Sequence, residues 1–237
     1  GAPPRRPPPP RPPPRGRLAP PPPPPRRPPV ATYRLQMGAA LTFDDARRLV
    51  PYLHDLGITD VYLSPVLAAA PGSTHGYDVV DHTRISEVMG GRAGLERLAD
   101  DVHAAGMGLV LDIVPNHMAV PTPAWHNLPL WSVLRDGPDS PYASWFDVSV
   151  EAPILMPVLG ARIGKVLADE QLVLDRMTVP TEPERGEQWV LRYFDHVFPV
   201  AEGTQSLPMH VLVDRQHYRL AYWKVGDEEI NYRRFFD

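Results

Sequence analysis

The sequence predicts an α/β protein built on a parallel sheet, and two observations support this prediction. Three β-prone runs occur at residues 32–37, 58–64 and 108–114, and apolar residues at helical spacing lie between consecutive runs. The second and third runs are almost continuously apolar, which is typical of strands buried on both faces. The order β-α-β-α-β is the pattern of parallel strands joined by helical crossovers. A doubly wound sheet and a (β/α)8 barrel both begin in this way.

The first predicted helix covers residues 42–56. Thr42 is a suitable N-cap, and two aspartates follow in the first turn, where they suit the positive end of the helix dipole. The apolar stripe of this helix consists of Leu49, Val50, Leu53 and Leu56. Gly57 is a good terminator. Pro51 lies inside the predicted helix, and we expect it to kink or split the helix.

The second predicted helix covers residues 93–105 and ends at Gly106. A polar loop is predicted between it and the second strand, over residues 70–90. The third predicted strand, 108–114, follows the helix and contains Asp112 among apolar residues. From residue 118 onward prolines recur and exclude long helices. Residues 188–200 are predicted as strand and 208–224 as one further helix, while 228–237 are left unassigned. We therefore predict a large irregular insertion after the third strand.

Residues 1–30 differ in composition from the rest of the chain. They contain 17 of the 32 prolines and seven arginines, but no acidic residue. Such a segment has few backbone donors and little apolar bulk, so we expect a disordered, polyproline-like tail. The functional alternative is that the tail binds a proline-recognition module.

Charge and composition exclude several functional classes. Apart from the tail, the chain holds 17 basic and 28 acidic residues, and so acidic a body binds nucleic acid and anionic membranes poorly. The absence of cysteine excludes disulfides and suits a reducing cytoplasm. No apolar run approaches the roughly 20 residues of a bilayer span, and no nucleotide-binding glycine motif follows a predicted strand. We expect a cytoplasmic protein with a neutral substrate and no nucleic-acid or membrane partner.

The candidate site residues lie near the carboxyl ends of the predicted strands, where ligands bind in parallel α/β proteins. Asp112, Asn116 and His117 follow the third strand closely. The loop STHGYDVVD, residues 73–81, adds Tyr77 and Asp81. An aromatic face with carboxylates and imidazoles nearby suits a sugar ring and its hydroxyls. Taken separately, each segment is also compatible with a structural role, as a strand-end cluster or as a polar loop with an Asx turn.

Seven segments, in order, resemble the α-amylase family of barrel glycosidases and transglycosidases, in particular its maltooligosyl trehalose synthase branch. They are TYRLQ, YLSPV, PGSTHGYDVVD, LVLDIVPNHMAV, YFDHVFP, RQHYRLAYW and NYRRFFD. The resemblance runs from about residue 31 to residue 237. It implies the N-terminal part of a (β/α)8 TIM barrel. Residues 31–117 would form its first βα units, with about three strands, and 118–237 a domain-B-like insertion.

The resemblance also implies a role for each candidate residue. Tyr77 would stack on the glucose next to the scissile bond, and His117 would hydrogen-bond the same glucose. Asp112 would organise the site by binding an arginine beside the nucleophile, and Asp81 would help to fix the loop. Asn116 corresponds to a calcium ligand in many amylases. Because no other calcium ligands can be identified, we expect no metal or other cofactor.

The implied reaction is an intramolecular transglucosylation. The reducing-end α-1,4 linkage of a maltooligosaccharide would be broken and replaced by a terminal α-1,1 linkage, as in trehalose biosynthesis. Retaining enzymes of this kind need a carboxylate nucleophile and an acid/base. In the resembled family these residues lie on later barrel strands, and no matching segment precedes Asp237. We therefore expect the nucleophile and acid/base beyond Asp237, and no turnover by this chain alone.

Three alternatives stay open. The first is a fragment of a hydrolytic α-amylase-type glycosidase, which would release glucose or shorter reducing sugars. The second is a non-catalytic glucan-binding or scaffold protein recruited through residues 1–30. The third is a truncated chain that has no separate function.

Overall fold

The computed structural model describes residues 28–148 and 152–225 of the 237-residue chain. Within these ranges the protein is a mixed α/β structure with two apolar cores. One core is built from residues 35–107 and the other from residues 124–220. Most of the proline/arginine tail, residues 1–27, lies outside the described residues. So do the unassigned segment 228–237 and its NYRRFFD motif.

The first half of the described chain alternates between strands and helices. Its elements are β1 (Thr32–Leu35), α1 (Phe43–Asp55), β2 (Asp60–Leu63), β3 (Leu67–Ala69), β4 (Val79–Ile85), α2 (Gly91–Ala104) and β5 (Gly108–Leu111). Strands β1, β2 and β5 form a parallel sheet in the order β1-β2-β5, as the β-α-β-α-β pattern predicts. Helices α1 and α2 pack against each other, and their apolar stripes form the first core together with Val61 and Leu63.

Helix α1 begins with a reciprocal cap. The backbone N–H of Asp45 donates to Oγ1 of Thr42 at 3.3 Å, and the N–H of Thr42 donates to Oδ2 of Asp45 at 2.9 Å. The hydroxyl of Thr42 also donates to Oδ2 of Asp45 at 2.6 Å, and this bond, with the bond from the N–H of Thr42, lowers the pKa of Asp45 to about 2. Pro51 was expected to kink or split the helix, and the split is excluded, because the helix continues through Pro51 to Asp55. Val50 and Leu53 are buried on either side of the proline, so tertiary packing outweighs the missing backbone donor.

The polar loop predicted over residues 70–90 is only partly correct. It contains the seven-residue strand β4, which pairs antiparallel with β3. The prediction failed because the sequence VVDHTRI has too few apolar residues for a buried strand. The burial predicted for the third strand is also wrong: β5 ends at Leu111, which is 41% exposed. Among the described strands β5 pairs only with β2, so it lies at an edge of the sheet.

The second half of the described chain has its own strands and helices. Its elements are α3 (Leu128–Asp136), β6 (Ile154–Leu159), α4 (Ile163–Ala168), β7 (Leu172–Thr178), β8 (Glu187–Tyr193), β9 (His196–Pro199), α5 (Met209–Leu212) and β10 (Tyr218–Tyr222). Strands β7, β8 and β9 form an antiparallel sheet, and β6 pairs parallel with β10. Helix α3 begins at the buried Asn127, whose Oδ1 accepts the N–H of Leu130 at 3.0 Å.

Three predictions for this half need correction. The description as irregular is wrong, because these strands enclose a core that includes the fully buried Trp131 and Tyr218. The single strand predicted over 188–200 is a hairpin, in which β8 turns at Phe194 into β9. The helix predicted over 208–224 is the short α5 followed by strand β10, because the alternation in HYRLAYW favours a strand.

No helix among the described residues combines the length and the apolar character that a bilayer crossing requires.

Candidate functional site

Two predicted site residues, Tyr77 and Asp112, are joined by a hydrogen bond. The phenolic O–H of Tyr77 donates to Oδ2 of Asp112 at 2.5 Å, and the phenolic O–H of Tyr62 donates to the same oxygen at 3.1 Å. Asp112 follows β5 directly, and its N–H donates to the carbonyl of Leu63 at the end of β2. The carboxylate therefore lies at the carboxyl edge of the parallel sheet, where it holds two tyrosines.

Arg34, from β1, extends this group of side chains. Its Nη2 donates to the phenolic oxygen of Tyr77 at 3.3 Å, and its guanidinium lies 5.5 Å from the ring centroid of Tyr62. The hydrogen bond to Asp112 raises the pKa of Tyr77, although the hydrogen bond from Arg34 opposes this. The phenol is thus kept protonated and acts as a donor. Strands β1, β2 and β5 each contribute to the position of Tyr77.

The loop that carries Tyr77 is tightly turned. Ser73 hydrogen-bonds Asp78, and its Oγ accepts the N–H of Gly76 at 3.1 Å. Gly76 has a φ of +78°, and a Cβ at this position would lie 2.7 Å from the carbonyl oxygen of Pro65. Glycine is required here for both reasons. The turn therefore fixes the point from which the Tyr77 side chain extends.

His75 lies beside Tyr77 in this loop. The two ring centroids are 6.1 Å apart, with 24° between the ring planes. The Nδ1 of His75 accepts the N–H of Tyr77 at 3.0 Å, so this nitrogen carries no proton. Its contact with Oδ1 of Asp78 at 3.8 Å is consequently not an ion pair in this tautomer. The loop presents two aromatic rings side by side.

The segment after β5 folds back against β4. The N–H of Ala119 donates to the carbonyl of Val79 at 2.8 Å, and Nε2 of His82 donates to the carbonyl of Val114, also at 2.8 Å. Between these two contacts lie Asn116 and His117, whose Oδ1 and Nδ1 atoms are 3.3 Å apart. The contacts with β4 bring these two side chains beside the Tyr77 loop.

A cavity of about 890 Å³ lies between these segments and the second core. Three of the five predicted site residues line it, namely Tyr77, Asn116 and His117. The second half of the described chain contributes further lining residues, namely Leu130, Trp145, Phe146, Asp147, Val148, Ile154 and Met156. Asp112 does not line the cavity and reaches it only through its hydrogen bond to Tyr77. The lining therefore combines aromatic and aliphatic side chains with imidazole, amide and carboxylate groups.

Asp81 lies apart from the other four residues. Its Oδ1 accepts the N–H and the hydroxyl of Thr83, at 2.8 and 2.6 Å, and its Oδ2 accepts Nε of Arg84 at 2.8 Å. Burial raises the pKa of Asp81, but these hydrogen bonds outweigh burial and leave the pKa below its usual range. Asp81 does not line the cavity, so its contacts are those of a residue that stabilises β4.

Sequence reasoning missed several residues of this site. Tyr62 and Arg34 could have been found, because a tyrosine in a buried strand needs a partner for its hydroxyl and both strands end at the predicted edge. His82 gave no such signal, because β4 was not predicted as a strand, and Trp145 gave none, because its position depends on how the second half of the chain folds. Within the described ranges, no group of three or more histidine, cysteine, aspartate or glutamate side chains could hold a metal ion.

Comparison with known proteins identifies the family. The α-amylase catalytic domain matches residues 47–210, well over half of the chain. The chain belongs to the α-amylase family. A family member named maltooligosyl trehalose synthase, from Mycobacterium tuberculosis (strain ATCC 25618 / H37Rv), is 41% identical over 219 residues. That match covers 88% of this chain and 26% of the relative.

Solved structures of the family agree with this match. The maltooligosyltrehalose synthase of Arthrobacter ramosus is 43% identical, with a TM-score of 0.77, over 88% of this chain and 26% of that one. A more distant family member, the intracellular maltogenic amylase of Bacillus subtilis (strain 168), is 34% identical over 41% of this chain and 15% of its own length. The chain spans about a quarter of the length of the two synthases.

Proposed function

We propose that this chain takes part in the conversion of a maltooligosaccharide to a maltooligosyl trehalose. The reducing-end α-1,4 linkage is broken and a terminal α-1,1 linkage is formed, by transfer within one substrate molecule. The role of this chain is to hold the glucose units next to the scissile bond. The observation that carries the proposal is the 43% identity to the synthase of Arthrobacter ramosus, which extends over 88% of the chain. The match to the maltogenic amylase covers only 41% of this chain, which favours a synthase over a hydrolase.

The geometry of the cavity supports a sugar-binding role. The Tyr77 ring is 39% exposed, and its hydroxyl is bound by Asp112, so its position is fixed while its surface stays accessible. A fixed, exposed aromatic ring is a suitable platform for the apolar side of a glucose. In this proposal His117 and Asn116 bind hydroxyls of the same glucose. Asp112 and Asp81 act on the substrate indirectly, through Tyr77 and β4 respectively.

The proposal includes an architecture. Strands β1, β2 and β5 form the first part of a (β/α)8 barrel, and residues 118–237 form an insertion after its third strand. Two features support this. The site residues follow the carboxyl ends of β2 and β5, which is where active sites of such barrels lie. The second core is built from residues 124–220, as expected for an inserted unit that folds over the site.

We assign no nucleophile or acid/base to the described residues. Retaining catalysis needs a pair of carboxyl groups on either side of the scissile bond, and the carboxylates lining the cavity are Asp78 and Asp147. Asp78 is hydrogen-bonded to Ser73, and neither Asp78 nor Asp147 lies in a segment that matches a catalytic motif of the family. We therefore expect this chain alone to bind maltohexaose without converting it.

The test combines binding with product analysis. The purified chain is titrated with maltohexaose in a calorimeter, and the same mixture is assayed for reducing ends and chromatographed. Binding with unchanged reducing ends is the expected result. Loss of reducing ends without glucose release would show that the chain carries catalytic residues that we have not assigned. Release of glucose or short reducing sugars would favour the hydrolase. Absence of binding would contradict the proposal and favour a scaffold recruited through residues 1–30.

The partner of this site is a maltooligosaccharide. The proline-recognition module for residues 1–30, the absence of nucleic-acid and membrane partners, and the cytoplasmic location all stay predictions.

A further inference from the structure

Trp145 is a large aromatic side chain on the wall of the cavity that remains exposed. It ends a short 3₁₀ turn, Ala143–Trp145, and its backbone N–H donates to the carbonyl of Tyr142 at 2.9 Å. The rings of Trp145 and Tyr142 meet edge to face, with centroids 5.0 Å apart and 81° between the planes. The turn and this ring contact hold the indole in one orientation.

The neighbours of Trp145 behave differently. Tyr142, Phe146 and Val148 pack against the second core, whereas Trp145 is 51% exposed. Burial of a tryptophan is one of the larger apolar contributions to folding, and this chain forgoes half of it at the wall of a cavity. Packing against the core does not account for an indole that is held in one orientation and exposed in a cavity, whereas contact with a bound ligand does.

The size of the cavity indicates what this ligand is. Its volume of about 890 Å³ lies towards the upper end of the roughly 300–1,000 Å³ of pockets that hold drug-sized ligands. A single glucose on Tyr77 is smaller than such a ligand and would leave part of the cavity unfilled. Tyr77 and Trp145 both line the cavity, and they come from segments about 70 residues apart in sequence. A chain of linked sugar rings can contact both.

We propose that Trp145 is a second stacking platform, which binds a glucosyl unit other than the one on Tyr77. This inference rests on the proposed function and deepens it, because it makes the site selective for oligosaccharides over maltose. The apolar side of the second glucose lies on the indole ring, and its hydroxyls face the polar side chains of the cavity lining. The gain in affinity with substrate length then depends on Trp145.

The experiment compares maltose with maltohexaose by calorimetry, using the full chain and four variants, of which Tyr77→Ala removes the first platform. Trp145→Ala is expected to remove most of the affinity gained between maltose and maltohexaose, on the order of tenfold. Trp145→Tyr keeps an aromatic face and is expected to retain most of that gain. Trp223→Ala is the matched control: Trp223 is similarly exposed, at 56%, but does not line the cavity. Circular dichroism checks that each variant is folded.

The outcomes separate the two proposals. If the unmodified chain does not bind maltohexaose, the proposed function itself is wrong. If it binds and Tyr77→Ala weakens binding while Trp145→Ala leaves the gain with length unchanged, only the role of Trp145 is wrong. An equal loss for maltose and maltohexaose in Trp145→Ala would also overturn the inference, because Trp145 would then act on the same glucose as Tyr77.

Discussion

The hydroxyl of Tyr77 and the carboxylate of Asp112 are 2.5 Å apart, although 35 residues separate them in sequence. Tyr77 belongs to the loop between β3 and β4, and Asp112 follows β5. The hydrogen bond therefore connects this loop to the edge of the parallel sheet. Because Oδ2 of Asp112 also accepts the hydroxyl of Tyr62, the carboxylate is itself held in place. A loop residue acquires in this way the fixed position that a binding site requires.

The first prediction concerns the coupling of these two residues. Tyr77→Phe and Asp112→Ala should each weaken the affinity for maltohexaose by about fivefold, because the ring then samples other orientations. The double variant should be little worse than either single variant, since both remove the same hydrogen bond. Calorimetry measures the affinity for maltohexaose of the unmodified chain, the two single variants and the double variant. Asp169→Asn, which alters a surface pair with Lys165, is the control. Additive losses in the double variant would show that the residues act independently.

The second prediction concerns the ionisation of Tyr77. Asp112 raises the pKa of this phenol, so Asp112→Asn should lower it. A raised pKa contributes stability that is fully present below the unfolded value, about 10, and is lost as pH rises through the folded value. The unmodified chain should thus keep the hydrogen bond between Tyr77 and Asp112 at a pH where a free tyrosine ionises. NMR of ¹³Cζ-labelled tyrosine measures the titration, with Tyr77→Phe assigning the signal. An unchanged pKa in Asp112→Asn would contradict the assigned cause.

The sequence predicted the parallel sheet and the cavity residues for different reasons. Strands β1, β2 and β5 follow from local apolar patterns, whereas Tyr77, Asn116 and His117 follow from their places near the ends of the predicted strands and from the resemblance to a family motif. Strand β4 was missed because its burial comes from contacts with β3 and with Ala119, which no local pattern records. The position of Trp145 depends on the packing of the second core, and only the tertiary structure reveals it.

The third prediction tests the turn before Tyr77. Gly72 and Gly76 both have positive φ, at +80° and +78°, but only Gly76 lacks room for a Cβ. Gly72→Ala should therefore cost only the backbone strain, about 1 kcal/mol. Gly76→Ala should cost more, because the new methyl group meets the carbonyl of Pro65, and it should also displace Tyr77. Urea unfolding measures the stability and calorimetry measures the affinity for maltohexaose. Equal affinity in the two variants would mean that the turn does not position Tyr77.

The fourth prediction concerns Pro51, which α1 contains without ending there. Pro51 has no N–H to donate to the carbonyl of Arg47, and proline is about 3 kcal/mol less favourable than alanine inside a helix. Alanine would also increase the conformational entropy of the unfolded chain, which offsets roughly 0.4–1 kcal/mol of that difference. Pro51→Ala should then raise the free energy of unfolding by about 2 kcal/mol, as measured in urea.

The control for Pro51→Ala is Tyr52→Ala, at the next position of the same helix. Tyr52 is 61% exposed, so its substitution should change stability by no more than about 0.5 kcal/mol. If Pro51→Ala is instead no more stable than the unmodified chain, the helix must use the geometry that proline imposes. The buried neighbours Val50 and Leu53 would then depend on that geometry for their packing against α2, and the proline would be a structural requirement of the first core.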